Sequence, residues 1–207
     1  MQEIWSHGCS WDGSLEPCCL EVWRGWKTEL DTVKLVRVPR WLEETLGDGT
    51  HVELHAFCDA YLRAYGAAIY LKVVGSDGKP RTQLIMSQSK VAPAKTKSGV
   101  DTVPRLELRA AVVNSRQRNF VKNSLNLKVD DTHLWTDSMI VLHWLSKSAS
   151  NLKTFVKNRV SEIQSTWPGK YWHHCPGESN PSDILTRGTS ASKRLVVERS
   201  RLASSVS

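Results

Sequence analysis

Three closely spaced alternating runs constrain this chain more than any other feature. The run His51–Asp59 places Val52, Leu54, Ala56 and Cys58 on one side and Glu53, His55, Phe57 and Asp59 on the other. Side chains of an extended segment alternate between faces, so this period of two reads as a β-strand with an acid at its end. Ala64–Val74 and Thr82–Val91 read as two further strands, and Gly75-Ser76-Asp77-Gly78 between them is a hairpin turn signal. Strands joined by such short turns pair antiparallel, so a three-stranded meander is expected.

The pattern then changes. Residues 92–103 read as a basic loop containing Pro93 and Gly99. Pro104 suits the first turn of a helix, and Arg105–Asn123 follows, with Leu106, Ala110, Val113 and Phe120 as its apolar stripe and Glu107 in its first turn. His133–Thr136 is a fourth strand ended by Asp137-Ser138, and Met139–Leu145 is a short helix. Leu152, Phe155, Val156 and Ile163 mark a longer helix, and Lys170–Cys175 is a fifth strand. Asn180–Arg187 starts a last helix, with Pro181 near its first position and Asp183 in its first turn. Hairpin strands followed by strands separated by helices predict an α/β domain built on a mixed sheet.

This domain spans residues 51–188. Residues 1–50 read as a helical extension rich in tryptophan (Trp5, Trp11, Trp23, Trp26, Trp41), with Val22, Trp26 and Leu30 at helical spacing. A lone helix cannot bury that aromatic surface, so it is expected to pack on another unit. Residues 189–207, rich in Ser and Arg, read as a disordered tail.

Charge narrows the partner. Residues 1–50 carry 5 Lys/Arg against 9 Asp/Glu, whereas residues 51–187 carry 19 against 11. Between Arg81 and Lys128 there are ten basic residues, with Asp101 and Glu107 as the only acids. So one-sided a field suits a polyanion, nucleic acid above all, and Lys90, Lys95, Lys97, Arg105 and Arg109 are the candidate contacts; a solvated basic face is the alternative. No apolar run reaches the ~18–20 residues of a membrane span. The N-terminal residues have no basic region followed by an apolar one, so no secretory signal is read. The five cysteines (Cys9, Cys18, Cys19, Cys58, Cys175) are odd in number and lack C-x-x-C spacing, which favours reduced thiols. An intracellular, cytoplasmic protein with access to the nucleus is the expectation.

Four acids stand where this architecture can gather them: Asp59, Glu107, Asp137 and Asp183. Each alone has an ordinary reading as a helix-start or turn residue. Together, at strand ends and helix starts, they would repel one another unless cations neutralised them. Hard divalent ions, Mg²⁺ or Mn²⁺, suit an all-oxygen set, and two of them can drive phosphodiester hydrolysis. A zinc site from Cys58, His173, His174 and Cys175 lacks the usual ligand spacing.

The phrases around these acids carry a family resemblance. Cys58-Asp59-Ala60, Pro104-Arg105-Leu106-Glu107, Leu134-Trp135-Thr136-Asp137-Ser138 and Asn180-Pro181-Ser182-Asp183 resemble the ribonuclease H module of reverse transcriptases. Their wording, with Leu54–Asp59, Tyr65–Tyr70 and Val141–Trp144, is similar to the Bel/Pao group of LTR retrotransposons. The resemblance covers about residues 51–188 and extends into the connection segment before it, through Trp11-Asp12 and Val38-Pro39-Arg40. It implies a ribonuclease H-like fold and cleavage of the RNA strand of RNA–DNA hybrids. It implies two ions, with Asp59 bridging them, Glu107 and Asp137 completing one site and Asp183 the other. Ser138, Glu178 and Asn180 are the accompanying candidates. The polymerase domain of the same polyprotein is the implied partner, and no Tyr-x-Asp-Asp motif occurs in this chain.

Two departures stand out. Where many ribonucleases H have Gly-His before the last helix, this chain has Gly177-Glu178, and Lys193–Ser200 does not resemble the family's continuation. The chain therefore reads as cut from a longer polyprotein. Two other readings remain open: a catalytically silent relic that still binds nucleic acid or a partner, and another nuclease or integrase of the same superfamily.

Overall fold

The computed structural model describes Ser10 and residues 12–33, 50–93, 101–125 and 127–188. Helix α1, Pro17–Val33, belongs to one compact unit, and the described residues from Thr50 to Gly188 belong to a second. The first unit shows the helix expected from Val22, Trp26 and Leu30, starting at Pro17, where a missing N–H costs nothing. Trp23 and Trp26 stack with ring centroids 5.0 Å apart. Val22, Trp23, Trp26 and Leu30 lie on the exposed surface of this helix. Trp5, Trp11 and Trp41, and the tail from residue 189, lie outside the described residues.

The second unit is a five-stranded mixed sheet of order β3-β2-β1-β4-β5. Strands β1 (His51–Tyr61), β2 (Ala64–Val74) and β3 (Pro80–Val91) form the antiparallel meander. β4 (Asp131–Thr136) lies parallel to β1, and β5 (Trp172–His174) lies parallel to β4. Parallel neighbours need crossovers. Helix α2 (Val103–Ser124) links β3 to β4, while α3 (Met139–Ser146) and α4 (Thr154–Thr166) link β4 to β5. A short helix, α5 (Asp183–Arg187), ends the unit, and Gly188 at φ +74° closes it in the left-handed conformation.

β1 is buried on both faces. Leu54, Ala56 and Cys58 join Leu106, Ala110, Val113, Val160 and Ile163 in the main core under α2 and α4. Phe57 faces the other way, into a smaller cluster with Ala68, Tyr70 and Cys175, against which Leu185 of α5 packs. The alternation in the sequence is thus a choice between two covered faces, not between core and water.

Several element bounds differ from the sequence reading. α2 begins two residues early, so Glu107 lies in its second turn. Phe120 is 61% exposed, because the buried stripe at the end of α2 runs through Gln117, Arg118 and Val121. β5 is shorter than expected, since Gly169–Tyr171 is a 3-10 turn. The last helix starts at Asp183 instead of Asn180, because Asn180 Oδ1 accepts a bond from the Ser182 N–H, a side-chain turn that competes with helix.

One glycine is required by close approach. Gly66 lies opposite Asp59 on β1 and Ser89 on β3, and a Cβ there would sit 2.4 Å from the Gln88 carbonyl oxygen. Gly66→Ala must therefore push β3 away from β2. A loss of about 2 kcal/mol or more is expected, read as a lower urea midpoint with little change in slope.

Candidate active site at the end of the central strand

Asp59 is the ninth residue of β1, and the chain that returns after β5 is fastened to the same strand end. Asn180 Nδ2 donates to the Cys58 carbonyl at 2.9 Å, and Ser182 Oγ donates to the Phe57 carbonyl at 2.9 Å. Asn180 and Ser182 are fully buried. They clamp the start of α5 against β1, which brings Asp183 towards Asp59 and lets Thr186 Oγ1 donate to Asp59 Oδ2.

Asp137 follows the last residue of β4, and Cys58 of β1 pairs with Thr136, so the two strand ends are in register. Ser138 caps α3, its Oγ accepting from the Val141 N–H at 3.2 Å. The same hydroxyl donates to Glu107 Oε2 at 2.6 Å and so ties α2 to the end of β4. The loop before α5 meets this corner too: a Cβ on Gly177 would lie 3.4 Å from Asp137 Oδ2.

Burial and neighbouring acids shift two of the four carboxyls, Asp137 and Asp59. Burial, then the negative charges of Asp59, Glu107 and Asp183, push the Asp137 carboxyl up to about 6. Burial also raises Asp59, the Thr186 bond partly opposes this, and the charge of Asp183 adds to it. Asp137 Oδ1 is buried without a hydrogen-bond partner. A buried, unpaired carboxylate oxygen among three other acids is a donor set in want of a cation. Arg187 supplies one beside Asp183, its Nε 2.5 Å from Oδ1. An all-oxygen set of Asp59, Glu107, Asp137 and Asp183 suits hard divalent ions in its chemistry.

The accompanying candidates separate on inspection. Ser138 and Asn180 touch the site through the bonds just described. Glu178 is exposed in the 3-10 turn Gly177–Ser179. Lys95 and Lys97 lie outside the described residues. Lys90 and Arg109 line an open cleft of about 300 Å³ between α2 and α4, with Tyr65, Arg116, Asn158, Arg159 and Glu162. Beside it, the guanidinium carbons of Arg159, Arg105 and Arg109 lie 3.6, 4.6 and 5.3 Å from the Phe155 ring centroid. Asp101 pairs with Arg109 at 2.8 Å, and Glu162 pairs with Arg116, so two acids hold this basic group in place without matching its charge.

Thr186, Ser182, Arg187 and Gly177 are site neighbours that the sequence reading did not single out for a role. Nothing local marks them, except that Thr186 and Arg187 lie three and four residues after Asp183, on the same side of a helix.

The raised Asp137 carboxyl has a stability consequence. Its folded value lies above the ordinary 3.8, so its charge costs stability above pH ~6, and that cost disappears as pH falls towards 4. Asp137→Asn should raise the melting temperature at pH 7 in chelator, by roughly 1–2 kcal/mol of stability, and give no gain near pH 4. Melting curves across that range check both halves.

The family described as Pao retrotransposon-like RNaseH-like domain matches residues 1–138, a stretch that includes Asp59, Glu107 and Asp137 but not Asp183. No curated protein matches. Among solved structures, RNase H1 from the halophilic archaeon Halobacterium salinarum is 17% identical, over 65% of this chain and 93% of its own, with a TM-score of 0.36. The N-terminal RNase H domain of a Mycobacterium tuberculosis protein is 14% identical, over 71% of this chain and 99% of its own, with a TM-score of 0.41. The protease-reverse transcriptase of prototype foamy virus is 12% identical, over 77% of this chain and 21% of its own, with a TM-score of 0.33. With two thirds of its length matched by the family description, this chain belongs to the Pao retrotransposon-like RNaseH-like domain family.

Proposed function

We propose that this chain is a divalent-metal-dependent endonuclease that cuts the RNA strand of RNA–DNA hybrids during retrotransposon reverse transcription. The observation that carries this reading is Asp137: a buried carboxylate with an unpartnered oxygen, raised to about 6 by burial and three neighbouring acids. Four acids whose charges bear on one buried carboxylate are useful once cations bind them, and membership of a retrotransposon RNaseH-like family makes phosphodiester hydrolysis the matching chemistry.

Two bound Mg²⁺ or Mn²⁺ ions would supply an activated water and stabilise the leaving oxygen. The chain's own residues would do the rest. Asp59, Glu107, Asp137 and Asp183 would hold the ions. Ser138 orients Glu107, and Thr186 orients Asp59. Asn180 is a positioning residue that keeps Asp183 at the end of β1. Arg187 would have to share or release Asp183 on metal loading. The cleft of Lys90, Arg109, Arg116 and Arg159, with Arg105 beside it, would take the nucleic-acid backbone as phosphate contacts, which attract without reading sequence. The polymerase domain of the same polyprotein would present the hybrid. No described helix is long and apolar enough to cross a membrane. An intracellular site of action belongs to the same proposal.

Cleavage of a labelled RNA–DNA hybrid by the purified chain tests the reading. RNA-strand cutting is expected with Mg²⁺ or Mn²⁺ and none with chelator. Asp137→Asn should lower the rate by more than about 100-fold while the protein stays folded, because it removes a charged ligand from the centre of the set. Cutting that survives this change would sink the assignment. A folded protein that binds hybrid in a salt-sensitive way without cutting it would establish the silent relic instead.

The basic cleft makes a separate prediction. Arg109→Ala with Arg159→Ala should weaken hybrid binding about tenfold at low salt and flatten its salt dependence by one to two contacts. Filter binding across a salt series measures both.

A further inference from the structure

The sheet face opposite α2 carries a second cluster of ligating side chains that the carboxylate site does not use. Glu53 and His55 stand two apart on β1 and therefore point to the same face. His55 is the direct parallel partner of His133 on β4, and their rings stack with centroids 4.9 Å apart. One ligand atom from each of Glu53, His55 and His133 lies within 4.8 Å of the other two. Among the described residues this is the one group of three histidine, cysteine or acidic side chains so closely gathered. Four residues of strand separate His55 from Asp59, about 13 Å, so the cluster lies well away from the four carboxylates.

We propose that Glu53, His55 and His133 form a transition-metal site on this sheet face, taking Zn²⁺ through two imidazoles and one carboxylate. Two imidazoles with a carboxylate are a common three-ligand zinc set that leaves one position open. Nitrogen donors favour zinc and its neighbours over magnesium, so the site would not compete for the hard ions of the carboxylate cluster. His173 of β5 stands next in line, its Nε2 3.5 Å from His133 Nδ1. Burial lowers the His55 imidazole below its ordinary value, with the Glu53 bond opposing this.

The present bonding shows what the ion would displace. Trp135 Nε1–H donates to His55 Nδ1 at 3.2 Å, which puts the imidazole proton on Nε2, 2.7 Å from Glu53 Oε2. An ion between Nε2 and Oε2 takes the place of that proton, which moves to Nδ1, and Trp135 gives up its acceptor. Lys72 Nζ, 3.7 Å from Glu53 Oε2, must also swing aside. His51 remains on the other Glu53 oxygen at 3.4 Å and on Asp131 at 3.3 Å. These displacements make the site weaker than a closed four-ligand one.

The test uses the whole chain with Cys18→Ser and Cys19→Ser, which removes one exposed and one half-buried thiol, in excess Mg²⁺ to fill the carboxylate site. Titration with Co²⁺ should give visible d–d absorption for one equivalent, without a near-ultraviolet thiolate band, and Zn²⁺ should abolish it. His133→Ala and Glu53→Gln should each weaken binding at least tenfold, with circular dichroism confirming the fold. Asp137→Asn should leave binding unchanged. No Co²⁺ or Zn²⁺ binding below millimolar concentration overturns the proposal. So does a signal that survives both His133→Ala and Glu53→Gln in folded protein, or one that Asp137→Asn removes. None of these readouts depends on hybrid cleavage, so the site and the nuclease reading stand or fall separately.

Discussion

The end of β1 is the point on which the site depends. A strand covered on both faces and paired on both edges has little freedom, and its last carbonyls need partners. Cys58 and Phe57 find them in Asn180 and Ser182, more than 120 residues further along the chain. These two buried bonds do more than satisfy the backbone. They attach α5 to the strand that carries Asp59 and so decide where Asp183 can be. The Ser138 hydroxyl performs the same service on the other side, joining the start of α3 to Glu107 on α2. A few hydrogen bonds between elements thus hold like charges together against their repulsion.

That repulsion is stored in the fold as a perturbed carboxyl. Asp137 is held among Asp59, Glu107 and Asp183 with one oxygen unpaired, an arrangement that costs stability at neutral pH in the absence of cations. Arg187 and Thr186 relieve part of the strain on the α5 side by engaging Asp183 and Asp59. On the Asp137 side a backbone N–H gives the carboxylate partial relief, but Oδ1 stays unpartnered. A neighbouring cation would therefore relieve Asp137 more than any of the other three acids.

The two faces of the sheet divide the polar chemistry. The face under α2 and α4 is apolar at its centre, with a basic cleft and the arginines around Phe155 at its margin. The opposite face carries Glu53, His55, Trp135, His133 and His173 in a stacked polar layer, with the small apolar cluster of Phe57, Ala68, Tyr70 and Cys175 beside it. Period-two geometry makes this division automatic. Once Leu54 and Ala56 face α2, Glu53 and His55 must share the other face with their in-register neighbours on β4.

Much of this was legible in the residues themselves. Alternation at 51–91 and helical spacing after Pro104 define the order of elements, and phrases such as Leu134–Ser138 carry the family and the four acids, because strand ends and helix starts have local signatures. The sequence could not show that Phe120 faces water, since its spacing matches the buried stripe and only the packing of the last turns of α2 excludes it. Nor could it show that Asn180 and Ser182 close on β1, that Arg187 occupies Asp183, or that His55 meets His133, as each is a contact between residues remote in the chain. Local periodicity determined the elements and which acids stand at their ends. Strand register and the bonds between elements decided which of those acids meet, because a through-space contact depends on the packing of the whole sheet and has no counterpart in local spacing.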